Sequence, residues 1–97
     1  MKTRYLLCYD VRDSVRLRKT AQVAEAYGYR VQYSIFLCDL TKVQVARLEQ
    51  DLRRVLNVAV DRAMLVDLGP PGDQSRRRVR WLSRPLELYD PGEATVI

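Results

Sequence analysis

Asp10 is the residue best placed to do chemistry. It closes the first apolar stretch, Tyr5-Leu6-Leu7-Cys8-Tyr9, and is followed by Val11-Arg12-Asp13. A hard carboxylate oxygen at that point, near several arginines, suits a Mg²⁺ or Mn²⁺ ion. The same position also suits a helix cap or an ion pair with Arg12 or Arg16. The chain has no histidine, which removes Ser-His nucleophiles, imidazole bases and most zinc sites. Its two cysteines, Cys8 and Cys38, each lie in an apolar run and read as reduced core residues rather than a metal site. Carboxylate, hydroxyl, tyrosine and arginine chemistry remains. One carboxylate is too few ligands for a tight cation. Two copies of Asp10 across a two-fold axis can share one, with waters completing the shell.

The second chemical signal is arginine. The 97 residues carry 17 basic and 12 acidic side chains, a net charge of +5. All the basic residues fall within positions 1–84, while Glu87, Asp90 and Glu93 make the last segment acidic. Arg76, Arg77, Arg78, Arg80 and Arg84 follow one another with no acid among them, and Arg12, Arg16, Arg18 and Lys19 form a second group. Guanidinium forks match phosphate oxygens, so two such groups on one small domain point to a polyanionic partner. The acidic tail is the competing partner for the first group.

These residues need a frame. The length allows one domain, 1–97, and 47% hydrophobic with 30% charged residues is a globular composition. No apolar run is long enough to span a membrane. The N-terminus is basic and then apolar, but it breaks at Asp10 without a cleavage signal, so a cytoplasmic protein is expected. Residues 3–11 alternate as a strand. Asp13 or Ser14 caps a helix to about Tyr27, which Gly28 stops. Residues 29–40 read as one bent strand or as two strands turning near Gln32–Tyr33. Thr41 caps a helix over 42–57 with Val45, Leu48 and Leu52 on one face. Asp61–Leu68 reads as a strand, Gly69–Asp73 as a loop, and Arg77–Leu82 and Leu86–Tyr89 as further short strands.

The order β-α-β-β-α-β is the ferredoxin-like α+β pattern: one antiparallel sheet with two helices on one face. The helix-free face of such a sheet should be polar. Here the first, third and fourth strands carry apolar residues on both faces, as in Ile35 and Leu37 against Phe36 and Cys38. A second copy of the chain is the simplest cover, so a homodimer through the open sheet face is expected.

Tyr9-Asp10-Val11, then Arg16 and Arg18, then Gly28-Tyr29-Arg30-Val31-Gln32-Tyr33-Ser34-Ile35-Phe36 resemble the CRISPR-associated protein two family. The resemblance runs in order and spacing over about residues 3–68. It implies a ferredoxin-like homodimer with facing sheets, the central subunit of spacer integration, bridging two dimers of the CRISPR integrase along captured DNA. It implies endonuclease activity on single-stranded RNA or double-stranded DNA, with Mg²⁺ (or Mn²⁺) shared by Asp10 of both protomers. Position by position, Tyr9, Ser34 and Phe36 join Asp10 as catalytic residues, and Arg16, Arg18 and Arg30 as nucleic-acid-binding ones. The Arg76–Arg84 group is added to the latter on its charge alone. Many members have glutamate directly after the phenylalanine; here it is Leu37, which takes an acid away from the site.

Three other readings belong beside this one. A purely architectural subunit would neutralise duplex phosphates and cut nothing. A toxin-type ribonuclease of the same fold is a further alternative. An RNA-binding module of the same element order would carry a Lys/Arg-Gly-Phe/Tyr string on the third strand, which Ser34–Cys38 lacks. C-terminal strands in the family often cross onto the partner, so residues 77–90 are expected to do so here, burying Leu82, Leu86 and Leu88.

Overall fold

The computed structural model of the chain describes residues 1–83. Strand β1 spans Thr3–Asp10, helix α1 Ser14–Glu25, β2 Tyr29–Gln32, β3 Ile35–Leu40, α2 Lys42–Val55, β4 Arg62–Gly69 and α3 Asp73–Arg77. The four strands form one sheet in the order β2-β3-β1-β4, every neighbouring pair antiparallel. That is the split βαβ arrangement expected of the ferredoxin-like class.

Local chemistry fixes where the helices start. The Asp13 carboxylate accepts the Arg16 N–H at 2.9 Å, which satisfies one of the orphan donors of the first turn. Thr41 opens α2 with a capping box: its hydroxyl accepts the Gln44 N–H at 3.2 Å, and the Gln44 amide oxygen accepts the Thr41 N–H at 2.8 Å. The two alternatives for residues 29–40 resolve into two strands, with Tyr33 and Ser34 as the turn between them.

Side chains alternate across the sheet, and the two faces meet different surroundings. Leu7 and Tyr9 of β1 and Phe36, Cys38 and Leu40 of β3 point under the helices, where they bury with Ala24, Leu48 and Leu52. Burial also pushes the Cys38 thiol up to about 11, so it stays protonated and packs as an apolar group. The open face carries Leu6, which pairs with Leu37 and Val66, and Cys8, which pairs with Ile35 and Met64. Met64 is 61% exposed, so this face is apolar and uncovered in a single chain. At its end Arg4 and Asp39 stand opposite each other across β1 and β3, joined by two parallel bonds of 2.8 and 2.9 Å.

Two expectations change. Gly28 does not end α1 through a left-handed backbone: Ala26 caps the helix in the ordinary right-handed conformation, and positive φ falls at Gly69 and Gly72 instead. The expected strand at Arg77–Leu82 is not formed. Residues 73–77 are helical, and 78–83 hold no strand. The turn Gly69-Pro70-Pro71-Gly72 is closed by the Gly72 N–H donating to the buried Ser75 hydroxyl at 3.1 Å. Bonds from Arg76 N–H to the Gly72 carbonyl and from Arg78 N–H to the Ser75 carbonyl continue the helical turn. Three successive arginines have no period-2 apolar pattern to oppose it. Arg84, the Leu86–Tyr89 strand and the rest of the extension lie outside the described residues.

Candidate metal and nucleic-acid site

Asp10 ends β1 on the open-face side, opposite Arg62 of β4. It lines a cleft of about 450 Å³ with Arg12, Arg16, Val60, Asp61 and Arg62. Asp10 is exposed, and among the described residues its side chain makes no hydrogen bond or ion pair. The helix cap belongs to Asp13, and Arg16 goes elsewhere. Asp13 thus takes the cap and Asp61 takes Arg16, and no ion pair between Asp10 and Arg12 is formed.

Arg16 is bound by Asp61, a residue that sequence reading passes over as the first position of a strand. The Arg16 Nε donates to Asp61 at 2.8 Å and Nη2 at 3.2 Å, and the Asn57 N–H donates to the same carboxylate at 2.8 Å. Only 2% of the Asp61 side chain is exposed. The Arg16 hydrogen bond, then that of Asn57, holds the Asp61 carboxyl below the usual carboxylate range, and the same bond raises Arg16. This pair ties the first turn of α1 to the loop between α2 and β4. The signal in the sequence was Asn57-x-x-x-Asp61, a loop whose Asn57 side chain also accepts the Ala59 N–H at 3.0 Å.

A pH prediction follows from that bond. A carboxylate depressed in the folded state stabilises the fold above its unfolded value, ~3.9, and loses that contribution as pH falls through the lower folded value. Asp61→Asn should lower the melting temperature at neutral pH and flatten its fall between about pH 5 and pH 3. Melting curves of both proteins that stay parallel across that window would refute the role of this carboxylate.

The other predicted site residues divide between two surfaces. Arg16 and Arg18 point to different sides of α1, as a two-residue step on a helix requires. Arg16 lines the Asp10 cleft. Arg18 lines a separate groove with Tyr9 and Arg30. Tyr9 and Phe36 are buried beneath the helices, their rings 6.2 Å apart, and the Arg30 guanidinium lies 5.1 Å from the Phe36 centroid. Burial also pushes the Tyr9 hydroxyl up. The Tyr9 N–H donates to the Ser34 carbonyl at 3.1 Å, which places Ser34 at the same end of the sheet as Asp10. Tyr9 and Phe36 therefore support the strand tip from below and do not face the Asp10 cleft. Arg76, Arg77, Arg78 and Arg80 are exposed on α3 and just beyond it.

The donor set can be tested against a divalent cation. Among the described residues no three His, Cys, Asp or Glu side chains gather as a metal site, and Asp61 is committed to Arg16. Among the described residues the cleft offers one uncommitted carboxylate, Asp10. Alone it is too few ligands for Mg²⁺, and it would suit such an ion only as part of a shared, water-rich site. No helix of the described residues is long and apolar enough to cross a membrane.

Sheet order and strand-tip carboxylate together define a ferredoxin-like domain with an acidic tip set among arginines. Residues 1–76 match the family described as CRISPR associated protein Cas2, and the chain belongs to that family. It is 36% identical over 94 residues to the CRISPR-associated endoribonuclease Cas2 2 of Synechocystis, covering 96% of this chain and 97% of that one. It is 35% identical over 93 residues to the CRISPR-associated endonuclease Cas2 of Halalkalibacterium halodurans, covering 89% and 94%. The crystal structure of Streptococcus pyogenes Cas2 superimposes with a TM-score of 0.70 at 28% identity, covering 82% of this chain and 99% of that one.

Proposed function

We propose that the protein acts in CRISPR adaptation as a nucleic-acid-binding homodimer with metal-dependent endonuclease activity on single-stranded RNA or double-stranded DNA. The observation that carries the catalytic part is Asp10: exposed, without a partner among the described residues, and set in a cleft walled by Arg12 and Arg62. Relatives named endoribonuclease and endonuclease support the reaction class. The apolar open face supports the dimer, in which Asp10 of both protomers would hold one Mg²⁺. That ion would supply Lewis-acid polarisation of the scissile phosphate. Arg12 and Arg62 orient that phosphate and offset its charge. Arg16 is held by Asp61, so it acts by fixing the start of α1. Exposed Arg76, Arg77, Arg78 and Arg80 track the backbone without reading sequence. In the adaptation complex the dimer bridges two integrase dimers.

The architectural reading has its own support: one uncommitted carboxylate at the cleft, among the described residues, is a sparse site, whereas the exposed arginines supply phosphate contacts that need no metal. Asp10→Asn separates the two. Cleavage in Mg²⁺ should fall on the order of a hundredfold or more, the scale of losing a group that stabilises transition-state charge, while duplex affinity changes less than about threefold. A wild-type protein that binds duplex, supports integration and cuts neither nucleic acid would leave the architectural subunit as the function.

A further inference from the structure

A second groove lies on the other side of α1 from the Asp10 cleft. It measures about 420 Å³, a size in the range of small-ligand sites, and its walls include Ser14, Arg18, Gln22, Glu25, Arg30 and Tyr33. Tyr33 occupies the β2–β3 turn and is 74% exposed. A large exposed ring on a turn is unremarkable alone, but this one is not alone. The Arg30 guanidinium sits 5.6 Å from the Tyr33 centroid while also lying against buried Phe36. Arg30 is further held by Glu25 at 3.9 Å. The guanidinium is thus held over the Tyr33 ring, and this cation–aromatic pair forms part of the groove wall.

We propose that this groove holds one unpaired nucleotide of a single-stranded segment, its base packed against the Tyr33–Arg30 pair and its phosphate met by Arg18. The inference rests on the nucleic-acid reading above and gives it a selectivity that phosphate contacts cannot. Bases in a duplex keep their faces stacked and cannot reach a ring in a groove, whereas an unpaired base can. Gln22 and Glu25 add donor and acceptor groups for the base edge. The groove runs along α1 from Ser14 to Glu25, while Arg16 of the same helix lines the Asp10 cleft.

The test uses the full-length protein, a short single-stranded oligonucleotide carrying one 2-aminopurine, and a blunt duplex of equal length. Wild-type protein should quench the 2-aminopurine on binding the single strand. Tyr33→Ala should weaken single-strand binding on the order of tenfold, the scale of one lost base–aromatic stack, and abolish the quenching. Tyr33→Phe should retain both, and duplex affinity should be the same for all three proteins. Equal loss for single strand and duplex in Tyr33→Ala, or no loss in either, would overturn the groove assignment while leaving nucleic-acid binding intact. A wild-type protein that binds neither probe would overturn both readings.

Discussion

Met64→Arg is expected to turn the protein into a folded monomer. In one chain Met64 stands on the open sheet face opposite Cys8, with Leu6, Leu37, Ile35 and Val66 around it. It is 61% exposed there, so its replacement costs the isolated fold little, within about 0.5 kcal/mol. In a dimer built on this face the same side chain is buried in both copies. Losing a buried methionine costs about 2 kcal/mol, and enclosing an unpaired guanidinium costs several more. The dissociation constant should rise by at least about a thousandfold, since ~1.4 kcal/mol is a factor of ten. Sedimentation equilibrium gives the readout, with Val43→Arg, an exposed α2 valine off the open face, as the control that stays dimeric. The catalytic consequence is specific: if Asp10 works as a shared ligand, the monomer loses cleavage although its own Asp10 is unaltered. A Met64→Arg protein that still sediments as a dimer would place the interface elsewhere.

The sequence showed most clearly those features that depend on neighbours along the chain. Alternation in β1 and β3 exposed two apolar faces because a strand's side chains alternate whatever the strand packs against. Thr41 announced α2 because its hydroxyl bonds three residues on. Asp10 stood out as a strand-end carboxylate among arginines, and the structure gives its side chain no partner among the described residues. Features that depend on distant segments were not readable. Arg16 meets Asp61 across 45 positions, and no local spacing encodes that distance. Residues 77–82 lacked a strong period of either kind, and the bonds from the Arg78 and Val79 N–H groups to the Ser75 and Arg76 carbonyls carry the turn of α3 into their start. Tyr9 and Phe36 carry the family pattern, yet their burial is set by which face the helices cover.

Gly28→Ala is expected to be among the most damaging substitutions in the chain, for a reason other than backbone conformation. Gly28 does not have positive φ, and alanine is not excluded by its dihedrals. Space excludes it. A Cβ placed there would collide with the Leu37 carbonyl oxygen and sit 2.6 Å from the Cys38 Sγ. Both atoms belong to β3, which is pinned between β2 and β1, so relief requires moving a central strand. Overpacking of a core costs about 1–3 kcal/mol, and a clash with backbone belongs at the upper end. For a domain of this size ~3 kcal/mol lowers the melting temperature by roughly 12–24 °C, readable by circular dichroism. A second substitution separates the two contacts. Cys38→Ala removes the sulfur but not the Leu37 carbonyl, so it should fail to rescue Gly28→Ala. Rescue would mean that the sulfur alone set the limit. A Gly28→Ala protein melting within about 3 °C of wild type would show that β3 can yield after all, and that the approach of α1's exit to the sheet is looser than these distances require.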